Sequence, residues 1–124
     1  MSAGQFHSVY LTVRAEGDVS IVGFTVSNLT DDENIELLGR ELFTLVDQTG
    51  CRKLVLDMGG VRYLTSSVLG KLITLHRRVH RVDGRLIICN IGEGLKEIMS
   101  TSRLDQYFNM ADDVAAARAM MSSS

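Results

Sequence analysis

Three consecutive hydroxyl side chains, those of Thr65, Ser66 and Ser67, are the strongest candidates for a functional site. They lie in the stretch from Asp57 to Gly70, which joins an apolar run to a long amphipathic segment. A helix start leaves backbone N–H groups without partners and carries partial positive charge. A hydroxyl there can cap the helix, and a phosphate group would be stabilised. The sequence therefore predicts a functional site at these three residues, which we call the hydroxyl corner. Helix capping is the simpler, structural interpretation of the same hydroxyls.

The hydroxyl corner is predicted to lie between a strand and a helix. Residues from Lys53 to Asp57 are largely apolar in succession, as in a mid-sheet strand covered by helices on at least one face. From Ser66 to Val82 apolar residues recur at helical spacing, and Asp83-Gly84 ends this helix. Another strand begins at Arg85 and runs to Asn90. A strand–helix–strand unit of this length is expected to be a right-handed crossover between parallel strands.

The remaining segments complete a single domain over residues 1–124. Strands at 9–13 and 19–26 flank the turn Glu16-Gly17-Asp18 and predict an antiparallel hairpin. A capping box at Thr30 and Glu33 predicts a helix over residues 31–48. A helix at 91–100, a short edge strand at 107–110 and an alanine-rich helix at 111–121 follow. The expected fold class is α/β: a mixed sheet with an N-terminal antiparallel hairpin, parallel crossover strands and helices packed on the sheet.

Composition limits the classes of function. The chain has 124 residues, of which 45% are hydrophobic and 23% charged, as in an ordinary globular domain. Its net charge of −2 gives no general attraction to nucleic acid or to acidic membranes. There is no signal-peptide pattern and no apolar stretch near ~18 residues, so neither export nor membrane insertion is expected. Cys51 and Cys89 are expected to be reduced thiols of a cytosolic protein.

The order of elements resembles the STAS domain of bacterial anti-sigma factor antagonists. The resemblance is carried by LVLDMGGVRYLTSSVLGKL at the third predicted strand and by GRLIICNIGEGLKEIMSTSRLDQYFNM downstream, and it covers nearly the whole chain. In that family the third strand ends in an acidic residue, followed by a turn of small residues and a hydroxyl pair at the next helix start. Asp57, Ser66 and Ser67 occupy those places, and Ser66 matches the serine that a partner kinase phosphorylates.

The resemblance implies a non-enzymatic, cytoplasmic regulatory protein that needs no cofactor and acts by switching partners. The unphosphorylated protein would bind a serine-kinase anti-sigma factor and so free a sigma factor for transcription. Phosphorylation of Ser66 would end that binding, and a serine phosphatase would restore it. The residues expected to contact the partner are Thr65, Ser66, Ser67, Asp57 and Lys71. No direct contact with nucleic acid or membrane is expected.

Two positions depart from the usual motif of that family. Thr65 stands where an aspartate is usual, and Val68 stands where a glycine is usual. Thr65 is therefore a second candidate for phosphorylation. A constitutive STAS scaffold, which assembles with copies of itself or with relatives and is never phosphorylated, is the alternative function.

Enzymatic functions are weaker alternatives. A hydrolase would be expected to carry a Gly-x-Ser-x-Gly elbow, which is absent around the hydroxyls. Nucleotide binding is suggested only by Asp57-Met58-Gly59-Gly60, which lacks both the full dinucleotide fingerprint and the lysine of a phosphate-binding loop. Asp57 itself has a structural interpretation, because its carboxylate can accept hydrogen bonds from N–H groups of the turn.

Charged residues and histidines on the helices are further candidates for sites. A basic stripe, expected on the solvent side of the helix that begins at Ser66, comprises Lys71, Thr74, Arg78 and Arg81. An acidic run on the preceding helix comprises Asp31, Asp32, Glu33 and Glu36. Each is expected to be a solvated surface, with attraction of an oppositely charged partner as the alternative. His76 and His80 are one turn apart, but no ligand completes a metal site, so surface histidines are expected.

Overall fold

The computed structural model describes residues 10–25, 27–29, 32–48 and 50–122. In chain order the elements are β1 (Leu11–Glu16), β2 (Val19–Phe24), β3 (Asn28–Leu29), α1 (Asp32–Asp47), β4 (Lys53–Asp57), β5 (Tyr63–Leu64), α2 (Ser66–Arg81), β6 (Arg85–Cys89), α3 (Glu93–Thr101), β7 (Asn109–Ala111) and α4 (Val114–Ser122). Across these described ranges, no helix combines the length and the apolar character that a membrane span requires.

A five-stranded mixed sheet with the strand order β1-β2-β4-β6-β7 organises the domain. β1 and β2 are antiparallel and are joined by a turn in which Gly17 has a φ of +67°, a conformation that favours glycine. The other neighbouring pairs, β2–β4, β4–β6 and β6–β7, are all parallel. The structure therefore confirms the predicted fold class and the mid-sheet position of β4.

Helices cover both faces of the sheet, which explains why the central strands are apolar in succession. Side chains of a strand point alternately to opposite faces. Leu54 and Leu56 of β4 pack into a large core formed with α1, α2 and α3. Val55, between them, joins a smaller cluster that includes Ala117 and Met121 of α4.

The two shortest strands, β3 and β5, are absent from the expectations drawn from the sequence. They form a separate two-stranded parallel sheet in which Asn28 pairs with Tyr63 and Leu29 with Leu64. Two residues are too few to show a strand periodicity, and the pairing joins segments that are distant in sequence. The strand that ends at Asp57 is consequently the fourth in the chain and not the third.

Several predicted boundaries are displaced by a few residues. The edge strand predicted at 107–110 begins at Asn109, and the last helix, predicted from residue 111, begins at Val114. Asp113 marks that start, because its Oδ1 accepts a hydrogen bond of 2.8 Å from the backbone N–H of Ala116. Val9 and Val26 of the predicted strands, the proposed cap residue Thr30 and the first expected helical residue, Asp31, lie outside the described residues.

The connection from α2 to β6 requires a glycine because two backbones approach closely there. The N–H of Gly84 donates to the carbonyl of Val79 at 2.8 Å, and the N–H of Arg85 donates to that of Arg52 at 2.7 Å. A Cβ at position 84 would lie 2.3 Å from the Arg52 carbonyl oxygen. This contact with backbone cannot be relieved by rotating a side chain.

We predict that Gly84→Ala lowers the free energy of unfolding by about 2 kcal/mol or more, because β4 and β6 must separate to admit the methyl group. Gly70→Ala is the matched control. A Cβ there meets nothing within 4 Å, and the position lies inside α2. The control should gain up to about 1 kcal/mol from helix propensity. Denaturant unfolding of both variants checks this, and an unchanged midpoint for Gly84→Ala would contradict it.

Candidate functional site

The hydroxyl corner lies where the chain leaves β5 and begins α2. Thr65 is the N-cap residue, with extended backbone angles of φ −96° and ψ 170°. Its carbonyl accepts the first helical hydrogen bond from the N–H of Leu69 at 3.2 Å, and its own N–H donates to the carbonyl of Leu29 at 3.3 Å. The start of α2 is therefore attached to the small β3–β5 sheet, which holds the corner in place.

The three hydroxyls differ in their environment. Ser66 and Ser67, the first two residues of α2, are exposed. Thr65 is half-buried, and its Oγ1 is a buried oxygen without a hydrogen-bond partner. The capping interpretation allowed either Thr65 or Ser66 as the N-cap residue; the structure places the N-cap at Thr65, but no side-chain capping bond is formed. The first turn also contains no acidic residue, so its N–H groups remain available to an anion.

Asp57 organises the loop that follows β4. Its Oδ1 accepts hydrogen bonds from the N–H of Gly59 at 3.0 Å and from Nδ2 of Asn90 at 2.9 Å. Because β4 and β6 are parallel neighbours, Asp57 and Asn90 leave the sheet at the same edge. The structural interpretation of Asp57 is confirmed: it ties the turn after β4 to the turn after β6.

Neither cysteine forms a disulfide in the part of the chain that the structure describes. Cys51 is half-buried, and its Sγ lies 3.3 Å from Oγ of Ser20. Cys89 is fully buried, and this burial, followed by the charges of Asp57 and Asp113, raises the pKa of its thiol to about 11. Cys89 is therefore a protonated thiol at neutral pH and not a nucleophile.

The prediction that the basic stripe of α2 lies on the solvent side is only partly right, because Arg81 is exposed but Lys71 and Arg78 are half-buried. Lys71 Nζ lies 3.2 Å from both carboxylate oxygens of Glu36 on α1. Arg78 pairs with Asp47 at the end of α1, and its guanidinium carbon lies 4.4 Å from the ring centroid of Phe43. α1 and α2 pack side by side on the same face of the sheet, and this packing turns the two cations towards α1. Lys71 and Arg78 therefore connect α2 to α1 within the domain.

An exposed aromatic residue lies beside the corner and was not selected from the sequence. Tyr63, two residues before Thr65, is 52% exposed, and its N–H donates to the carbonyl of Ser27 at 3.3 Å. An aromatic side chain that is held on the surface by β5 is suited to protein contacts. β5 is only two residues long, so no strand periodicity in the sequence could have identified this side chain as exposed.

His76 and His80 differ in burial, and the expectation that both are surface residues was wrong for His76. His76 is only 6% exposed, because Tyr107 and Phe108 cover it, with ring centroids 4.7 and 5.5 Å away. His80 is exposed, and its ring centroid lies 4.6 Å from that of His76. Burial, followed by the charge of His80, lowers the pKa of His76 below 6.5. Within the described residues, no group of three His, Cys, Asp or Glu side chains could hold a metal ion.

We predict that Thr65→Val raises the free energy of unfolding by about 1 kcal/mol, because a methyl group replaces a buried oxygen that has no partner. Ser67→Ala, at an exposed position, is the control and should change stability by less than about 0.5 kcal/mol. Chemical denaturation measures both. A clear loss of stability in Thr65→Val would mean that this hydroxyl does cap α2 in solution.

We predict that His76 makes folding stability dependent on pH. Its folded pKa lies below the unfolded value of 6.5, so the unfolded chain binds the proton first. The stability is fully present above the unfolded pKa and is lost as the pH falls through the folded pKa. Urea midpoints measured from about pH 7.5 down to about pH 5 should therefore fall. His76→Leu should weaken this fall, and His80→Gln should retain most of it. An equal fall in all three proteins would contradict the assignment.

Comparisons with known proteins match this architecture. A family model described as the STAS domain matches residues 10–117. BtrV of Bordetella bronchiseptica, a protein assigned as an anti-sigma factor antagonist, is 29% identical over 94 residues, which are 76% of this chain and 80% of BtrV.

Two solved structures extend the comparison. A Thermotoga maritima protein, also assigned as an anti-sigma factor antagonist, superposes with a TM-score of 0.79 at 19% identity, covering 89% of this chain and 92% of its own. The phosphorylated form of the Bacillus cell fate determinant SpoIIAA superposes with a TM-score of 0.67 at 15% identity, covering 89% and 98%. At these identities the structures show the shared fold alone. The family match over residues 10–117 confirms the domain resemblance noted in the sequence: the chain belongs to the STAS domain family.

Proposed function

We propose that the chain is an anti-sigma factor antagonist-like regulatory protein that binds a serine-kinase anti-sigma factor and is switched by phosphorylation of Ser66. The observation that carries this proposal is the position of Ser66, exposed at the first residue of α2 on a helix start without a side-chain cap. The assignment of BtrV supports the antagonist class, and the phosphorylated form of SpoIIAA shows that a protein of this fold carries phosphate. Such a switch acts in the cytoplasm, where sigma factors work.

Ser66 is the acceptor that this geometry favours. The buried Oγ1 of Thr65 would have to leave the interior before a kinase could reach it, so Thr65 remains the second choice. Ser67 is as exposed as Ser66 but lies one residue further into the helix, about 100° around its axis. The two serines therefore present different directions to a partner, which makes Ser67 a matched control.

A phosphate on Ser66 can change binding without unfolding the domain. It adds about −1.5 to −2 charges, and at a helix N-terminus this charge meets the partial positive charge of free N–H groups. A partner that packs on the corner must then desolvate the phosphate or place it against its own acids. Each ~1.4 kcal/mol of that penalty lowers affinity tenfold.

The proposed contact surface consists of exposed side chains held by buried ones. Ser66, Ser67 and Tyr63 present their side chains to a partner, while Thr65 orders the start of α2 by its backbone bonds. Asp57 acts by holding the neighbouring loop. Lys71 already forms an ion pair with Glu36, so a partner that contacts Lys71 would share it with Glu36. A serine phosphatase would reset the switch, and the proposal assigns the chain no catalytic activity and no cofactor.

We predict that Ser66→Ala binds the kinase partner persistently and that Ser66→Asp binds it at least about tenfold more weakly. Ser67→Ala and Ser67→Asp form the matched pair and should differ from each other by much less. Biolayer interferometry against each serine-kinase anti-sigma factor of the source organism measures the affinities. Mass spectrometry of the tryptic peptide spanning residues 63–71, taken from native cells, identifies the phosphorylated hydroxyl.

Equal binding of Ser66→Ala and Ser66→Asp would remove the switch from this residue. A peptide that is unphosphorylated under all growth conditions would instead favour the constitutive scaffold. In that case light scattering should reveal a large assembly whose size does not depend on phosphorylation.

A further inference from the structure

A shallow groove lies beside the C-terminal half of α2, away from the Ser66 corner. It has a volume of about 480 Å³ and is lined by His76, Arg77, His80, Arg81 and Tyr107. We call it the arginine groove. At about 1.5 Å per helical residue, Ser66 and Arg81 are roughly 22 Å apart along α2. The groove is therefore a surface of its own and does not depend on the proposed phosphorylation site.

The groove is cationic in a chain whose net charge is −2. Arg77 and Arg81 are one turn apart on the same face of α2, where like charges repel. In the described part of the chain neither forms an ion pair, and the groove lining includes no carboxylate. Five of the eleven other lysines and arginines do pair with carboxylates: Arg14, Lys53, Lys71, Arg78 and Arg118.

The helix dipole explains only part of this arrangement. Cations near the C-terminus of a helix interact favourably with its free carbonyl groups. The basic residues in the last turn of α2 are Arg78, His80 and Arg81, and Arg77 is not among them. Nor does the dipole account for an exposed aromatic ring beside the arginines.

Tyr107 and the histidines line the groove, and Phe108 packs against Tyr107 and His76. Tyr107 is 41% exposed, and its ring centroid lies 5.1 Å from that of Phe108, which is buried. His76 lies beneath, and its Nδ1 is buried without a hydrogen-bond partner. Contacts with His76 and Phe108 therefore hold the Tyr107 ring at the surface. Arginine and tyrosine together on a surface are the residues most often found at the energetic centre of protein interfaces.

We propose that the arginine groove binds an acidic segment of a partner protein. Arg77 and Arg81 pair with carboxylates of that segment, because guanidinium groups bind carboxylates through two parallel hydrogen bonds. Tyr107 packs against an apolar or aromatic side chain between them. The groove is largely open to solvent, so a peptide chain can lie across it, whereas small molecules are usually held in sites that enclose them.

The test uses the full chain and a short peptide rich in Asp and Glu with a central Phe. Titration of the isotope-labelled protein by NMR should shift the backbone signals of Arg77, His80, Arg81 and Tyr107. A peptide with Asn and Gln in place of the acids should not bind. The Arg77→Glu/Arg81→Glu double variant should weaken binding at least about tenfold, because two attractions become repulsions.

A charge-matched control separates a specific groove from general electrostatics. Arg40→Glu/Arg62→Glu changes the net charge equally at two exposed arginines outside the groove. It should leave affinity within about threefold, since charges beyond about 8 Å are screened at physiological ionic strength. If the groove variant does not fold, Tyr107→Ala provides a second test and should weaken binding about threefold or more.

Several results would overturn the proposal. They are equal binding by the groove variant and the charge-matched control, peptide-induced shifts confined to other surfaces, or no binding of the acidic peptide. Binding of inorganic phosphate, a single-stranded oligonucleotide or anionic lipid vesicles at the groove, without peptide binding, would assign it to a phosphate ligand instead. Ser66→Asp should keep peptide binding, so failure here and failure of the proposed switch are distinguishable.

Discussion

Leu54, Val55 and Leu56 of β4 are completely excluded from solvent, because helices cover both faces of the sheet at this strand. The polar residues of this region can reach water only where the strand ends. Asp57 lies at that end, and its bonds to Gly59 and Asn90 connect the loops that leave the two central strands. The chain therefore leaves the buried part of the sheet at the end of β4 and reaches the hydroxyl corner through β5.

α2 is held against the sheet by its buried apolar face. Leu72, Leu75 and Val79 on its inner face are fully buried, and each such side chain contributes about 1.5–3 kcal/mol. The ion pair between Lys71 and Glu36 is partly exposed and contributes at most about 1 kcal/mol. Apolar packing, and not these charges, therefore fixes the helix. A change of charge at its exposed first residue would alter what a partner meets while the fold persists.

The two ends of α2 have different electrostatic character. At its start the N–H groups of the first turn have no side-chain cap, and Ser66 is exposed among them. At its end, Arg77 and Arg81 carry charges that no carboxylate of the described residues neutralises. One helix thus presents a surface suited to a phosphate group at its start and a surface suited to acidic side chains at its end. The packing of α2 fixes the separation between them.

The sequence by itself determined the longer helices and strands, the fold class and the family. Continuous apolar residues predicted β4, and helical periodicity together with the hydroxyls predicted the start of α2 at Ser66. These signals are local, because the period of a strand or helix and its terminating residues appear within one segment. The order of residues is therefore sufficient to locate the corner.

Only the tertiary structure decided how individual side chains are used. It buried the oxygen of Thr65, paired Lys71 with Glu36 and covered His76 with Tyr107. The tertiary structure also decided the pairing of β3 with β5. Most of these contacts join residues far apart in the chain, and the Thr65 oxygen, too, is covered by the packing around it. A periodic pattern shows which face of a helix is apolar, but the exposure and partners of a side chain depend on the elements that pack beside it.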